Sequence, residues 1–179
     1  CDDTFTMDKA RVLEVCNLIR GRNITITWNA ISRVDYIDEE LLFAMRTAGC
    51  IQISFGVESG SEKIRKTLAK PVSEQDIENA FYLARAYGIL PRAYFIYGSP
   101  GENRDTINDS VNLMLKIAPL SAIFYMLVIF PGTFLYRTAC RKGLISDDFW
   151  HKKMEDLPWF ELDPDLSYAD VKKFGDTLR

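Results

Sequence analysis

Histidine is nearly absent from this sequence, and cysteine is sparse and scattered. The single histidine, His151, stands in the charged run FWHKKMED and reads as a surface side chain; with no other histidine, a Ser-His-Asp relay cannot be assembled. The four cysteines, at positions 1, 16, 50 and 140, match no CxxC redox pair, zinc ribbon or iron–sulfur run. Cys16 and Cys50 fall on apolar positions of predicted elements and read as small buried hydrophobes, suited to a reducing, cytoplasmic compartment. Long apolar runs are missing too. The best candidate, LSAIFYMLVIFPG, is short and ends in a turn signal, so no bilayer span is expected. The acidic opening CDDTFTMDK is no secretion signal, and without an initiator methionine it suggests a piece of a longer protein. Positive charge is not in excess: 22 Lys and Arg face 25 Asp and Glu, a net charge of −3. That leaves no electrostatic footprint for nucleic acid or an anionic membrane. The short cluster RKTLAK reads as a solvated helix face.

What is present suits one soluble domain with a real core: 179 residues, 47% hydrophobic, 26% charged. Short apolar runs alternate with amphipathic helices. Residues 7–20 have helical spacing (Met7, Ala10, Leu13, Cys16, Ile19), with Thr6 as the expected cap and Asp8 in the first turn. NITITWNAI is rich in β-branched and aromatic residues, as a strand is. Asp38 opens a helix that Gly49 stops, and the strand CIQISFGV follows. Ser61 is expected to cap a short helix to Leu68. Ser73, with Asp76, opens another that buries Ile77, Ala80, Phe81 and Ala84 and ends at Gly88. PRAYFIYG, the turn SPGE, a helix over 104–117 and the strand SAIFYMLVIF complete the pattern. From about 147 the chain reads as a loop, packed through Trp159 and Phe160, and one last helix. Strands alternating with helices predict an α/β fold with a parallel sheet. Ligands in such sheets gather at the carboxyl ends of the strands.

Those ends carry the polar residues: RVD around Arg33, then GVESGS, YGSPGE and FPGT. Glu58 reads either as a solvated carboxylate near a helix amino end or as an acceptor for ligand hydroxyl or ammonium groups. Gly56 and Gly60 favour the second, because glycine allows close backbone approach. GSPGE lacks the spacing of a phosphate loop; Pro100 and Gly101 suit the centre of a type II turn. Lys70, before Pro71, is on its own a solvated lysine at a helix end.

Taken together and in this order, DDTFTMDKARVLEVC, ITWNAISRVD, AGCIQISFGVESGSEKIRKTLAK, GILPRAYFIYGSPGEN and FPGTFLY…GLI resemble the radical S-adenosylmethionine superfamily, and most nearly its branch with a cobalamin-binding domain. The resemblance implies a partial (βα)6 barrel. In it a [4Fe–4S] cluster on a CxxxCxxC loop binds S-adenosylmethionine and cleaves it reductively to a 5′-deoxyadenosyl radical. By the same resemblance, Asp2 and Asp3 meet the methionine amino group, Glu58 (with Ser59) the ribose or methionine part, and Lys70 the methionine carboxylate. Arg33 meets cofactor or substrate, Ile96, Tyr97 and Val128 lie against the adenine, and Gly98 is a further cofactor-binding position.

This sequence departs from the family in having no CxxxCxxC. The expectation is therefore a piece holding barrel strands three to six over 1–146 and an extension over 147–179. It contains no metal ligands, and on its own it makes no radical. The complete protein would use S-adenosylmethionine, a [4Fe–4S] cluster and cobalamin, with an electron donor such as flavodoxin or ferredoxin and an unread substrate. An unpaired edge strand would invite self-association. The alternatives are a cobalamin-independent, methylthiotransferase-like enzyme and a non-catalytic α/β binding module.

Overall fold

A computed structural model describes residues 4–146, 148 and 162–178. Asp2, Asp3, His151, Trp159 and Phe160 lie outside the described residues. After a 3₁₀ turn at Phe5–Met7, helix α1 spans Lys9–Gly21, with Asp8 as its cap accepting the Arg11 N–H at 3.0 Å. Thr6, the expected cap, is turned inward instead and shares a hydrogen bond with the Ser32 hydroxyl, while Met7 faces solvent. A carboxylate suits the positive end of a helix better than a hydroxyl, which is free to be buried elsewhere.

Strand β1 spans Trp28–Ser32, shorter than the expected run from Asn23. Its neighbour β2, Cys50–Glu58, begins opposite Trp28, so residues 24–27 have no ladder to join. Helix α2 (Glu39–Thr47) connects these two strands. Helices α3 (Glu62–Thr67) and α4 (Glu74–Ala86) lead to β3 (Leu90–Tyr97), and α5 (Arg104–Ile117) leads to β4 (Ala122–Met126). The four strands lie in the order β1-β2-β3-β4 and all pair in parallel, as helix-linked strands do. β4 stops at Met126, earlier than expected, because β3 ends at Tyr97; the Leu127 N–H makes the last bond, to Tyr97 O at 2.8 Å.

Alternation along the strands divides the sheet into two faces. Ile53, Phe55, Val57, Ala93 and Phe95 are buried beneath Leu42, Met45, Ile77, Phe81 and Ala84 of the helices. Phe55 and Phe81 meet at 5.2 Å between centroids, and Phe95 stacks on Phe124 at 4.7 Å. Each fully buried ring of this kind contributes about 2–3 kcal/mol of transfer free energy. Helix α6 (Phe134–Arg141) carries Tyr136 and Ala139 into a second cluster with Leu127, Ile129 and Leu162. Helix α7 (Tyr168–Thr177) closes the described chain, its Gly175 seated against the Tyr97 ring. The opposite face of the sheet bears Ile31, Arg92, Tyr94, Ile96 and Tyr125, and of these Ile96 packs against the cluster of Leu127, Ile129 and Tyr136. No described helix is long and apolar enough to cross a membrane.

Candidate functional site

The site begins at the end of β2. The ladder shifts register between Gly56 and Glu58, so one residue is extra on this strand. The Ser59 N–H then returns to Val57 O at 2.9 Å, a three-residue turn centred on Glu58 at φ 68°. A left-handed backbone at a residue with a β-carbon costs about 1–3 kcal/mol, and such strain collects at functional positions. Here it turns the Glu58 side chain to the open face. A β-carbon on Gly56 would lie 2.5 Å from Glu58 Oε1 and 3.2 Å from Lys70 Nζ. Gly56 is therefore the bed on which the two charged groups meet.

Lys70 donates from Nζ to Glu58 Oε1. Its carboxylate partner is buried, while the lysine side chain is about one-third exposed. What brings a residue twelve positions away onto Glu58 is Arg65. This side chain is 2% exposed. It donates to Ser59 O and Gly60 O at 2.8 and 2.9 Å, just past Glu58, and to Val72 O at 2.9 Å, just past Lys70. Its own carbonyl accepts the Lys70 N–H at 2.9 Å. The guanidinium ties both ends of the segment together without any carboxylate. The expected solvated face of RKTLAK is corrected here: Arg65 turns into the core, because the carbonyls of Ser59, Gly60 and Val72 need a donor there.

Arg33 follows β1 and is held in a two-pronged pair by Asp35 (2.9 and 2.7 Å), over the Tyr36 ring at 5.0 Å. The pair raises the guanidinium and holds the Asp35 carboxyl below its ordinary value. Arg33, Glu58 and Lys70 line a cavity of about 470 Å³, together with Thr4 and Ser32. Ile31, Tyr94, Ile96, Tyr125, Val128 and Phe130 form its apolar remainder. A pocket of this size, mostly apolar with a few converging polar groups, fits a small organic ligand.

Of the residues named from sequence, Arg33, Glu58, Lys70, Ile96 and Val128 line this one cavity, and Ser59, Tyr97 and Gly98 do not. Ser59 is fully buried, its hydroxyl 3.3 Å from that of Ser110 and accepting the Ser61 N–H. Tyr97 points to α7. The Gly98 N–H is taken, with that of Ser99, by the Glu102 carboxylate. The Pro100–Gly101 turn closes as expected, with the Glu102 N–H on Ser99 O at 3.0 Å. Gly60 serves packing rather than a ligand: a β-carbon there would lie 2.2 Å from Asp109 O of α5. Ser61 makes no side-chain cap bond. Missed from sequence were Arg65, which no local pattern marks, and Tyr94 and Tyr125, which two-residue alternation from Ile96 and across the register would have found.

The donors suit the polar end of S-adenosylmethionine, a carboxylate for hydroxyl or ammonium groups and cations for a carboxylate, with an apolar wall for a purine. They do not fit an iron–sulfur cluster. Among the described residues no group of three His, Cys, Asp or Glu side chains comes together to hold a metal. Cys16 and Cys50 are buried on the helix side, and burial pushes the Cys50 thiol up to about 12; Cys140 lies on α6.

A family model described as the Radical SAM superfamily matches residues 2–114. An uncharacterized methyltransferase of Pyrococcus horikoshii is 31% identical over 151 residues, which are 84% of this chain and 33% of its own length. The chain thus spans about a third of that curated relative. Two solved structures share the fold. One is TsrM from Kitasatospora setae, a radical S-adenosylmethionine methyltransferase with cobalamin and a [4Fe-4S] cluster bound: TM-score 0.68, 20% identity, 78% of this chain and 30% of that one. The other is coproporphyrinogen III oxidase (HemN) from Escherichia coli, described as a radical SAM enzyme: TM-score 0.70, 18% identity, 98% of this chain and 37% of that one.

Proposed function

The chain belongs to the radical SAM superfamily, and on that footing we propose that its cavity holds S-adenosylmethionine, as part of an enzyme that cleaves this cofactor reductively. The observation that carries the reading is the Glu58–Lys70 pair, set on Gly56 at the carboxyl end of a parallel strand and facing an apolar wall. Glu58 accepts from the cofactor's hydroxyl or ammonium groups, and Lys70 and Arg33 neutralise its carboxylate. Ile96 and Val128 lie along the adenine. When bound, the cofactor supplies the 5′-deoxyadenosyl group, and the protein orients it. Asp2 and Asp3, outside the described residues, remain assigned to the methionine amino group by the family pattern.

The cluster and a cobalamin would be held by parts of the complete protein other than the described residues; the bound groups of the K. setae enzyme support that assignment. A methyl transfer is the corresponding activity, in keeping with the P. horikoshii relative. The barrel portion would end near 146, with 147–179 as an extension, in a cytoplasmic protein reduced by a flavodoxin or ferredoxin. The open edges of β1 and β4 are where further strands, or a second copy, would add.

Calorimetry with S-adenosylhomocysteine tests the cofactor assignment directly. Binding that weakens about tenfold in Glu58→Gln, the loss of one charge-assisted hydrogen bond, supports it. Absence of binding by the complete, cluster-reconstituted protein, or equal affinity in Glu58→Gln, overturns it.

A further inference from the structure

Below the cofactor end, the open face of the sheet holds a cation that nothing described balances. Arg92 is half-buried on β3, two residues before Tyr94 and four before Ile96, and so on their face of the strand. Its Nε donates to the Ser121 hydroxyl at 2.7 Å, which fixes the plane of the guanidinium. No ion pair among the described residues includes it. Arg33 has Asp35, and Arg65 and Arg85 have backbone carbonyls; the two terminal nitrogens of Arg92 have no described partner. Ser54 stands beside it in the ladder, on the same face.

Directly above, at a spacing of about 7 Å along the strand, Tyr94 meets Tyr125 edge-to-face at 5.9 Å between centroids. Both rings line the cavity, Tyr125 is 52% exposed, and neither hydroxyl has a described hydrogen-bond partner. We propose that this is a second subsite, for an aromatic ring bearing an anionic group, with the ring on Tyr94 and Tyr125 and the carboxylate or phosphate on Arg92. The aromatic pair takes a flat π-face, and a fixed guanidinium takes a planar oxyanion through two nitrogens. The inference rests on the cofactor reading in one respect: S-adenosylmethionine at Glu58 leaves Tyr94 and Tyr125, beyond which Arg92 stands outside the cavity lining, to the molecule it acts upon.

The test uses protein labelled with ¹³C-tyrosine, titrated with benzoate and with its neutral analogue benzamide. The Tyr94 and Tyr125 signals are assigned from Tyr94→Phe and Tyr125→Phe. Benzoate is expected to move both signals and to bind about tenfold more tightly than benzamide, the difference made by one charge-assisted pair. Arg92→Gln should erase that preference, and Arg92→Lys should keep part of it, with melting temperature and S-adenosylhomocysteine binding unchanged. Equal binding of the two probes, a preference that survives Arg92→Gln, or shifts confined to other tyrosines would overturn the proposal. So would a loss of folding in both Arg92 variants, which would assign the guanidinium to structure. Failure of S-adenosylhomocysteine to bind, with the benzoate preference intact, would sink only the cofactor reading.

Discussion

The ends of β2 and β3 are built alike and do different work. Each closes on a residue of positive φ, Glu58 at 68° and Gly98 at 88°. Each is followed within a few residues by a helix, and each holds a buried carboxylate, Glu58 at 6% exposure and Glu102 at 4%. The partners differ. Glu58 is satisfied by Lys70, a side chain that can move away, and faces the cavity. Glu102 is satisfied by the backbone N–H groups of Gly98 and Ser99, which cannot move without undoing the turn, and its Oε1 has no partner among the described residues. Burial pushes the Glu102 carboxyl up to about 7, against the pull of those two N–H groups. An exchangeable partner marks a site for ligands, whereas a backbone partner marks a brace.

The largest test of this contrast is steric. Gly60→Ala drives a β-carbon into the α5 backbone at Asp109 and should cost about 3 kcal/mol. Gly98→Ala, at φ 88°, brings in the left-handed penalty of about 1–2 kcal/mol; urea titrations compare them.

The next is protonation. The folded carboxyl of Glu102 binds its proton more tightly than the unfolded one, near 4.5. Its contribution to stability is therefore full below about 4.5 and is lost as pH rises through about 7. Melting curves of the wild type relative to Glu102→Gln should diverge across that window, by at most about 3 kcal/mol. A constant difference would assign the brace to shape alone.

Substitution at Glu58 should separate stability from binding. Glu58→Gly relieves the strained backbone and should leave stability unchanged or raise it by up to about 1 kcal/mol, while abolishing the binding of S-adenosylhomocysteine. A Glu58→Gly protein that melts early and still binds would reverse the two roles.

The smallest effect separates two serines. Ser73 caps α4, taking the Asp76 N–H at 3.0 Å, and Ser73→Ala should cost about 1 kcal/mol. Ser61 makes no such bond, and Ser61→Ala should stay within about 0.5 kcal/mol.

Much of the fold was legible because it is local. Helix spacing at Ile77, Ala80, Phe81 and Ala84 and the capping pair Ser73–Asp76 needed no partner elsewhere, and all appear as expected. The limits of β1 and β4 were not legible, since a strand stops where its neighbour stops, and that neighbour is distant in sequence. At the site, Glu58 was found from its place at a strand end, but Ile96 and Tyr97 were named together, although adjacent strand residues face opposite sides. Alternation admits Ile96 and sends Tyr97 to α7. Arg65 was illegible: its three carbonyl acceptors lie at Ser59, Gly60 and Val72, and only the closed segment brings them together.

That closure also governs how the site responds to salt. Arg65 pins the stretch from Glu58 to Val72 at both ends, so the ammonium of Lys70 rests on its carboxylate before any guest arrives. A guest that brings its own ammonium displaces one cation with another and changes no net charge at Glu58. Its affinity should therefore depend only weakly on ionic strength, although Arg33, Glu58 and Lys70 all line the cavity.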